Sequence, residues 1–502
     1  MSIGQSIAKL PLFVVLIGIS AAAMLLPSIV ALGQDDMPTS RVFFYSAILF
    51  FILAMLLGFV TTSSARVQTG WTQLITLLLA YLLLPLILAF PMDAAMEDAR
   101  FFTCYIDMVS SLTTTGASFF DAERLSDPLV MWRATVAWFG GFLIWLSAIA
   151  ILAPLNLGGY EVTSEAQVQG LQTRSAGQMH AASLEQRLVK HARRLAPTYI
   201  ALTIILWVLL MITGSESLAA LIHAMSTLST SGISLNGQIG SVGAEAMVLI
   251  FFIFALSRRS FTHALNREYP RRMLKDREVR LALAAIVIVP ALLFLRHWFG
   301  AVETDTAQFS DAVASLWGGI FTVASFLTTT GFVSQGWDAA SQWSGIDAPG
   351  MVLIGLALMG GGVATTAGGV KLLRVYALYK HGLREVEKLI HPHSVAGAGR
   401  LGRRIRREGA YIAWVFFMLL TLSMALFMCL LAATGLDFET AMILTISALT
   451  TTGPLAAVGG ETAISFTGLN DLAKMLLAFA MIVGRMETLV LVALISPRFW
   501  RG

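Results

Sequence analysis

A run of hydroxyl residues that ends in glycine occurs four times in this chain. The pattern is Ser-x-Leu-Ser/Thr-Thr-Ser/Thr-Gly, and its copies lie at 110–116, 226–232, 325–331 and 447–453. Each copy lies between apolar stretches, where neither a helix nor a strand that faces lipid would favour such a segment. Irregular backbone at membrane depth can form a ring of carbonyl oxygens that replaces the water shell of an alkali cation. The pattern therefore predicts a cation site made by four loops.

The candidate ligands are the backbone carbonyls and the hydroxyls of the last three residues in each copy. These residues are Thr114, Thr115, Gly116, Thr230, Ser231, Gly232, Thr329, Thr330, Gly331, Thr451, Thr452 and Gly453. A single copy would be explained more simply as a polar loop. Because the leucine and the glycine keep their positions in all four copies, we expect one site to which every copy contributes.

The composition indicates an integral membrane protein. Of 502 residues, 57% are hydrophobic and 13% are charged, whereas an ordinary soluble domain contains roughly 25% charged residues. Two cysteines, Cys104 and Cys429, are too few for a disulfide framework or a cysteine-rich metal site. The net charge of +4 is explained by the basic segments between the apolar spans. It therefore indicates no nucleic-acid partner.

Ten apolar segments are long enough to cross a bilayer, which takes about 20 helical residues. They lie at 11–32, 42–61, 71–91, 129–153, 195–213, 243–262, 279–298, 349–370, 411–434 and 472–496. We predict an all-α membrane protein in which two leading transmembrane helices precede four helix–pore loop–helix units. The predicted boundaries are 1–69 for the leading helices and 70–155, 156–275, 276–400 and 401–502 for units 1 to 4.

The charges between the spans predict how the chain is oriented. Arg and Lys concentrate at 258–280 and 371–410, and the positive-inside rule places both segments in the cytoplasm. The segments around the repeats are more acidic and are expected on the outer side. All four repeats then open on the same side, so the units are parallel and predict a pore with pseudo-fourfold symmetry. Both termini are expected in the cytoplasm.

Short, partly apolar stretches precede the four copies and predict four short helices. They lie at 99–110, 216–226, 309–325 and 437–447. The carbonyl end of a helix carries a partial negative charge, so helices that point at the pore centre would favour a cation there. Ser217 and Asp437 are the expected N-caps of the second and fourth of these helices.

A glycine-rich stretch at the end of the eighth span predicts a movable break in that helix, because each glycine destabilises a helix by roughly 1 kcal/mol relative to alanine. The stretch contains Gly360, Gly361, Gly362, Thr365, Thr366, Gly368 and Gly369. Close helix packing through small residues is the alternative, but the two threonines add polarity that packing does not need. Arg485 lies in the apolar tenth span, where a charge is costly without a partner or water. We expect it to face the pore.

Three local matches resemble the Trk/Ktr/HKT superfamily of potassium transporters and, within it, the TrkH-type subunits of bacteria. They are the four loop sequences TTTGA, STSGI, TTTGF and TTTGP, the segment MGGGVATTAGGVKLLR at 359–374, and VGRMETLVLVALISPRFW at 483–500. In the superfamily, serine in place of the first glycine is associated with sodium transport. One departure is the sixth span, where Arg258 and Arg259 replace the usual small or apolar residues.

The resemblance implies K⁺ uptake across the bacterial inner membrane, with K⁺ as the transported ion and no bound organic cofactor. It implies that the glycine-rich stretch, together with Lys371 and Arg485, gates the ion path. It also implies a multi-pass homodimer, surrounded by membrane lipid and docked on a cytosolic TrkA-like ring that binds nucleotides.

Two other functions remain open from the sequence. The first is Na⁺ or mixed Na⁺/K⁺ transport by the same four loops. The second is a membrane-embedded enzyme, which would need a titratable catalytic cluster that the sequence does not reveal. Among the histidines, we expect His223 to be a packed residue, and we expect His391 and His393 to be a solvated pair and not a metal site.

Overall fold

The computed structural model describes residues 11–61, 70–155, 157, 159–160, 184–235, 237–257, 276–301, 309–344, 349–390, 407–488 and 490. Regular structure within these ranges is helical, and strand pairing there is limited to one parallel bridge between Gln238 and Val333. The predicted all-α class is therefore confirmed for the described part of the chain.

The α-helices in chain order are Leu12–Ala23, Leu25–Gly33, Met37–Thr61, Gly70–Ala95, Phe101–Leu112, Asp127–Ser147, Leu184–Ile212, Ser217–Ser229, Val242–Phe251, Ile253–Leu256, Arg277–Ala301, Phe309–Leu327, Trp337–Ser344, Gly350–Met359, Leu372–Ile390, Arg407–Ala432, Phe438–Leu449, Leu455–Val458 and Asp471–Met486. A 3-10 turn at Ala122–Arg124 and a π-helical segment at Ala148–Leu152 complete the regular structure of the described residues.

Seven helical segments in the described ranges are long and apolar enough to cross a membrane, when Leu12–Gly33 and Asp127–Leu152 are each counted as one continuous segment. They coincide with seven of the ten predicted spans. The other three predictions, 243–262, 349–370 and 472–496, coincide with shorter helices. Two of these helices stop at residues with positive φ, Gly360 and Glu487, where the α-helical backbone cannot continue. The total of ten spans stays a prediction.

Four of the helices end in the repeated pattern, and we call them repeat helices 1 to 4. They are Phe101–Leu112, Ser217–Ser229, Phe309–Leu327 and Phe438–Leu449. Each repeat helix packs against the long helix that precedes it and against a helix that follows its loop, which is Asp127–Ser147, Val242–Phe251, Gly350–Met359 and Asp471–Met486 in turn. These groups of three helices, with the segments that connect them, are units 1 to 4 below.

The four units contact one another in a cyclic order. The helix that follows the loop in units 1, 2 and 3 packs against the repeat helix of the next unit, and Asp471–Met486 of unit 4 packs against repeat helix 1. The leading helices lie on the periphery, against Gly70–Ala95 and Asp127–Ser147. Large apolar side chains point outwards there and on the long unit helices, as shown by Phe59 and Ile212, which are each 75% exposed. Such surfaces suit contact with lipid.

Candidate functional site

The repeat helices lie where the sequence predicted them and end two or three residues later than expected. The Asp437 cap is confirmed, because its carboxylate accepts a hydrogen bond from the Thr440 backbone N–H at 3.0 Å. The Ser217 cap is wrong by one residue. Glu216 occupies the N-cap position with an extended backbone and no capping hydrogen bond from its side chain, and Ser217 is the first helical residue.

The last four residues of each copy form the repeat loops 1 to 4, at 113–116, 229–232, 328–331 and 450–453. The same threonine in every loop has a left-handed backbone, with φ of 56° at Thr114, 56° at Thr230, 55° at Thr329 and 53° at Thr451. A β-branched residue rarely adopts this conformation, which costs on the order of 1–3 kcal/mol. Four equivalent instances show that the surrounding structure imposes one shape on all four loops.

Hydrogen bonds repeat within the loops as the backbone angles do. In each copy the N–H of the sixth residue donates to the carbonyl of the first, over 2.9, 3.0, 2.9 and 2.8 Å from copy 1 to copy 4. The hydroxyls of the fourth and sixth residues also pair, over 2.9, 3.1, 3.0 and 3.2 Å. The run of hydroxyl residues therefore supplies hydrogen-bond partners for buried polar groups within each loop.

The glycines lie where neighbouring loops meet. A Cβ atom on Gly116 would overlap the Ser231 carbonyl, and one on Gly232 would overlap the Thr330 carbonyl. At Gly331 it would lie 2.9 Å from the Pro454 ring, and at Gly453 it would lie 2.6 Å from the Thr115 carbonyl. The contacts of Gly116 and Gly232 are to the next loop, that of Gly331 is to the residue directly after loop 4, and that of Gly453 returns to loop 1. Glycine is therefore required at this position by the close approach of backbones.

Loop 4 departs from the other three in one respect. Gly116, Gly232 and Gly331 have φ of 74°, 68° and 84°, whereas Gly453 does not have positive φ. Pro454 follows Gly453, and a proline restricts the backbone of the residue before it. The Gly453 N–H instead donates to the Thr115 carbonyl at 2.6 Å, which joins loop 4 to loop 1 directly.

The hydroxyls of the four strained threonines differ in their partners. All four residues are buried, with at most 1% exposure. The Thr230 hydroxyl donates to the Ser229 carbonyl at 2.7 Å, and the Thr329 hydroxyl accepts the Gly368 N–H at 2.7 Å. The Thr114 and Thr451 hydroxyls have no hydrogen-bond partner among the described residues. Buried hydroxyls without a protein partner are available to coordinate a cation.

Residues 360–371, the glycine loop, fold back on the helix Gly350–Met359. Positive φ occurs at Gly360 (70°), Ala364 (55°), Gly369 (75°) and Lys371 (81°). The end of the loop is hydrogen-bonded to the end of this helix. The Val370 N–H donates to Leu358 O at 2.9 Å, and the Lys371 backbone N–H donates to Met359 O at 3.0 Å. The predicted break in the eighth span is thus a closed, hydrogen-bonded loop.

The glycine loop lies directly against the repeat loops. Its Thr366 hydroxyl donates to the carbonyl of Leu228 in copy 2 at 3.1 Å. Its Gly368 N–H bonds the Thr329 hydroxyl, and a Cβ atom on Gly368 would lie 2.5 Å from the Thr451 hydroxyl. On the opposite side, the Thr365 hydroxyl donates to Ala255 O at 3.0 Å. Gly368 therefore permits close packing against the repeat loops, and the hydroxyls of Thr365 and Thr366 make polar contacts with the neighbouring backbone.

Two buried cations cap the carbonyls of the glycine loop. Arg485 donates from Nη1 to Thr366 O at 2.6 Å, and the Lys371 ammonium donates to Ala367 O. Both side chains belong to residues that are less than 7% exposed. A cavity of about 20 Å³, room for about one water molecule, lies beside them and is lined by these two residues, Glu487, the loop and the π-helical segment. Such segments often occur at functional sites.

The sequence missed two acidic residues that hold this region. Glu487 pairs with Arg374 at 2.7 Å, and Arg374 lies 3.8 Å from the centroid of the Phe416 ring. Glu278 accepts the Val363 N–H of the glycine loop at 2.8 Å. No local pattern marks either contact, because the paired residues lie far apart in the chain.

A buried ion pair supports loop 1. Asp107 in repeat helix 1 pairs with Arg133 at 2.7 Å and accepts the Phe119 N–H at 3.1 Å. Arg133 also donates to Ala117 O at 3.0 Å. The segment that leaves loop 1 is thus held by two opposite charges. Neither Asp107 nor Arg133 is marked by a local sequence pattern.

The position equivalent to Asp107 holds a polar residue in units 2 and 3 and the buried Leu444 in unit 4. Asp107 lies nine residues before Gly116, and Thr322 lies equally far before Gly331 and accepts the Ser334 N–H at 3.3 Å. In unit 2 the position is His223, which is 4% exposed and stacks edge-on against Phe332 at 5.8 Å. His223 is therefore a packed residue, as expected.

Other predicted features lie outside the described residues. They are Arg258 and Arg259, the histidines at 391 and 393, residues 258–275 of the first basic segment, residues 391–406 of the second basic segment (371–410), and the end of the tenth span after residue 490. Within the described ranges, no group of three or more His, Cys, Asp or Glu residues could hold a metal ion. The carbonyls and hydroxyls of the repeat loops are the remaining candidate cation ligands.

Comparisons with known proteins agree on one family. The family model TrkH, described as a cation transport protein, matches residues 39–501. The Trk system potassium uptake protein TrkH of Halomonas elongata is 31% identical over 428 residues, 83% of this chain and 82% of the relative. TrkG of Escherichia coli is 28% identical over 501 residues, 97% of each chain. The crystal structure of the potassium transporter TrkH from Vibrio parahaemolyticus covers 100% of both chains at 24% identity, with a TM-score of 0.82, and supports the fold.

Proposed function

This chain belongs to the TrkH family of cation transport proteins, and on that premise we propose that it takes up K⁺ through a path between the four repeat loops. The similar proteins that are named as potassium uptake proteins support the choice of K⁺. The observation that carries the proposal is the common geometry of the loops. Each loop has a threonine with positive φ and a glycine packed closely against the next loop or the residue that follows it, in cyclic order, and this supports a shared ion site lined by carbonyl and hydroxyl oxygens.

The coordinating groups are the carbonyls and hydroxyls of the twelve residues named from the sequence, at 114–116, 230–232, 329–331 and 451–453. K⁺ loses part or all of its water shell here, because the oxygens of four loops replace it. The free hydroxyls of Thr114 and Thr451 are the side-chain ligands with the best support. The carbonyl ends of the four repeat helices add partial negative charge.

The glycine loop and Arg485 form the gate. The loop is bonded to copies 2 and 3 and touches copy 4, so it obstructs the end of the path. Arg485 and Lys371 place positive charge beside the same path, which raises the energy of a passing cation. Opening requires the loop, or at least its contact with Arg485, to move aside.

The wider arrangement follows the expectations from the sequence. We propose four parallel units with pseudo-fourfold symmetry, the predicted unit boundaries, ten spans and cytoplasmic termini in the bacterial inner membrane. The driving force is the membrane potential, which supplies about 2.3 kcal/mol per charge per 100 mV. The chain would act as a homodimer in contact with lipid and with a cytosolic TrkA-like nucleotide-binding ring, and the basic segments 258–280 and 371–410 are the proposed docking surface.

A second candidate function is Na⁺ or mixed Na⁺/K⁺ transport. The different backbone of Gly453 favours it, because one loop then presents its carbonyl at another angle and weakens the fourfold ring. The glycine in all four loops favours K⁺ instead. A membrane-embedded enzyme is the third candidate, and the sequence offers no catalytic cluster in its support.

Uptake by the purified protein in liposomes tests the proposal. Rb⁺, K⁺ and Na⁺ uptake is measured under an inside-negative potential with no other substrate present. We expect Rb⁺ and K⁺ uptake well above that of empty liposomes, and much slower Na⁺ uptake. Equal rates for Na⁺ and K⁺ would support the mixed transporter. The absence of ion flux from well-folded protein, with and without the cytosolic partner, would refute transport.

A further inference from the structure

The segments that leave loops 2 and 3 are joined side by side. Gln238 and Val333 form the parallel bridge between them. The Gln335 side-chain amide donates to the Gly240 carbonyl at 3.2 Å. Unit 2 is thus connected to unit 3 a few residues after the loop glycines, Gly232 and Gly331. A change in this connection would be transmitted directly to the loops.

A buried carboxylate, that of Glu245, lies behind this connection. Glu245 is in the first turn of the helix Val242–Phe251 and is 1% exposed. Its Oε2 accepts hydrogen bonds from the Trp317 indole N–H at 2.7 Å and from the Ser334 hydroxyl at 2.9 Å. Its Oε1 accepts the Gln335 backbone N–H at 3.1 Å. The carboxylate belongs to unit 2, and all three donors belong to unit 3.

The charge of Glu245 is balanced by these donors and, within the described ranges, not by a cation. This differs from loop 1, where Arg133 neutralises Asp107. Hydrogen bonds to an ionised acceptor are about twice as strong as neutral ones. Loss of the carboxylate would leave the buried Ser334 hydroxyl and the partly buried N–H groups of Trp317 and Gln335 without this acceptor, which favours movement of the segment that carries Ser334 and Gln335.

We propose that Glu245 is a positioning residue for ion selectivity, which holds loop 3 at a fixed distance from loop 2. This inference rests on the proposed function. Ser334 follows Gly331 by three residues, and its backbone N–H donates to Thr322 of repeat helix 3. Glu245 therefore anchors the loop exit to unit 2 while Thr322 anchors it to unit 3. Together they fix the position of the Gly331 carbonyl, on which discrimination between K⁺ and Na⁺ depends.

The test compares Glu245→Ala with Glu245→Gln in liposomes. The measured quantity is the ratio of Rb⁺ to Na⁺ uptake, which does not depend on the amount of active protein. We expect the alanine variant to lower the ratio about tenfold, the equivalent of one charge-assisted hydrogen bond. The glutamine variant keeps one acceptor oxygen but turns a donor towards the remaining N–H group, so we expect an intermediate ratio. Glu97→Gln, which removes an exposed charge from unit 1, is the matched control and should keep the wild-type ratio.

Trp317→Phe serves as a second variant because Glu245→Ala can fail to fold. It removes one of the three hydrogen bonds while it keeps an aromatic ring. We expect a several-fold lower ratio, and an effect less than additive with Glu245→Gln if both act through one contact. A purely electrostatic role would change the uptake of both ions equally and leave the ratio constant in both variants, which would overturn the inference. Wild-type protein without Rb⁺ flux would instead refute the proposed function.

Discussion

Replacement of Arg485 by methionine should increase the basal flux of Rb⁺ through the protein. The guanidinium group donates to the Thr366 carbonyl at 2.6 Å, and Thr366 in turn donates to the Leu228 carbonyl of copy 2 at 3.1 Å. One residue of the glycine loop, Thr366, thus lies between the charge and copy 2 of the repeat. Methionine has a similar length and suits a buried position, so the substitution removes the charge with little change in volume.

The size of the effect follows from the distance between the charges. We take roughly 6 Å as the separation between the guanidinium and a cation at the end of the repeat loops, with Thr366 between them. With an effective dielectric constant of about 20, two unit charges at that distance repel each other by about 3 kcal/mol. Such an energy corresponds to a factor of about 100 in ion occupancy. Because the glycine loop still obstructs the path, we expect a flux increase of about tenfold or more.

The assay is Rb⁺ uptake into liposomes that contain equal amounts of folded protein. Arg485→Lys is the matched control, since it keeps the charge and should stay near the wild-type rate. Arg485→Gln keeps a donor for the Thr366 carbonyl without the charge, and it should resemble the methionine variant. Wild-type flux in both neutral variants would place the barrier elsewhere. An equal increase in flux in the lysine and methionine variants would show that the guanidinium acts by its shape and not by its charge.

Gly116→Ser should lower the K⁺/Na⁺ uptake ratio because its Cβ would overlap the Ser231 carbonyl, whereas Gly355→Ala, with open space around it, should leave the ratio unchanged. Arg133→Met should lower the free energy of unfolding by about 3–5 kcal/mol, as expected when one partner of a buried ion pair is lost. In thermal unfolding, the double variant with Asp107→Leu should lose less stability than the sum of the losses in the two single variants. The Thr440 N–H hydrogen bond lowers the pKa of Asp437, so the cap stabilises fully above the ordinary carboxyl pKa and is lost as the pH falls through the lowered value. Asp437→Ala should therefore lower Tm at neutral pH, and the difference from the wild-type protein should disappear in acid. An unchanged ratio, an additive double variant or a Tm difference that persists in acid would contradict the respective prediction.

The sequence was sufficient to predict the features that repeat or break a rule. Four copies of one pattern predicted the repeat helices and loops, and the glycine content predicted the end of the helix Gly350–Met359. Arg485 was conspicuous because a charge in an apolar span needs a partner, which is the Thr366 carbonyl. These signals are local, so one sequence is enough to detect them.

Residues that act through distant partners could not be predicted in this way. Glu245 bonds residues 72, 89 and 90 positions away, and Arg374 pairs with Glu487 across 113 positions. A carboxylate near the start of an apolar helix is ordinarily read as a favourable charge at the helix N-terminus. Only the packing of the units shows that Glu245 instead faces the next unit. The boundary at Ser217 was missed for a smaller reason, since adjacent polar residues compete for a cap position.

The hydroxyl group of Thr329 connects the proposed gate to the proposed ion site. Thr329 has the same strained backbone as Thr114 and Thr451, but its hydroxyl accepts the Gly368 N–H, whereas theirs have no partner among the described residues. Withdrawal of the glycine loop would free the Thr329 hydroxyl and make loop 3 equivalent to loops 1 and 4 in this respect. Gate movement would then change the number of oxygens available to the ion as well as the width of the path. If the proposed gate and ion site are correct, the hydrogen bond between the Gly368 N–H and the Thr329 hydroxyl would couple gating to coordination.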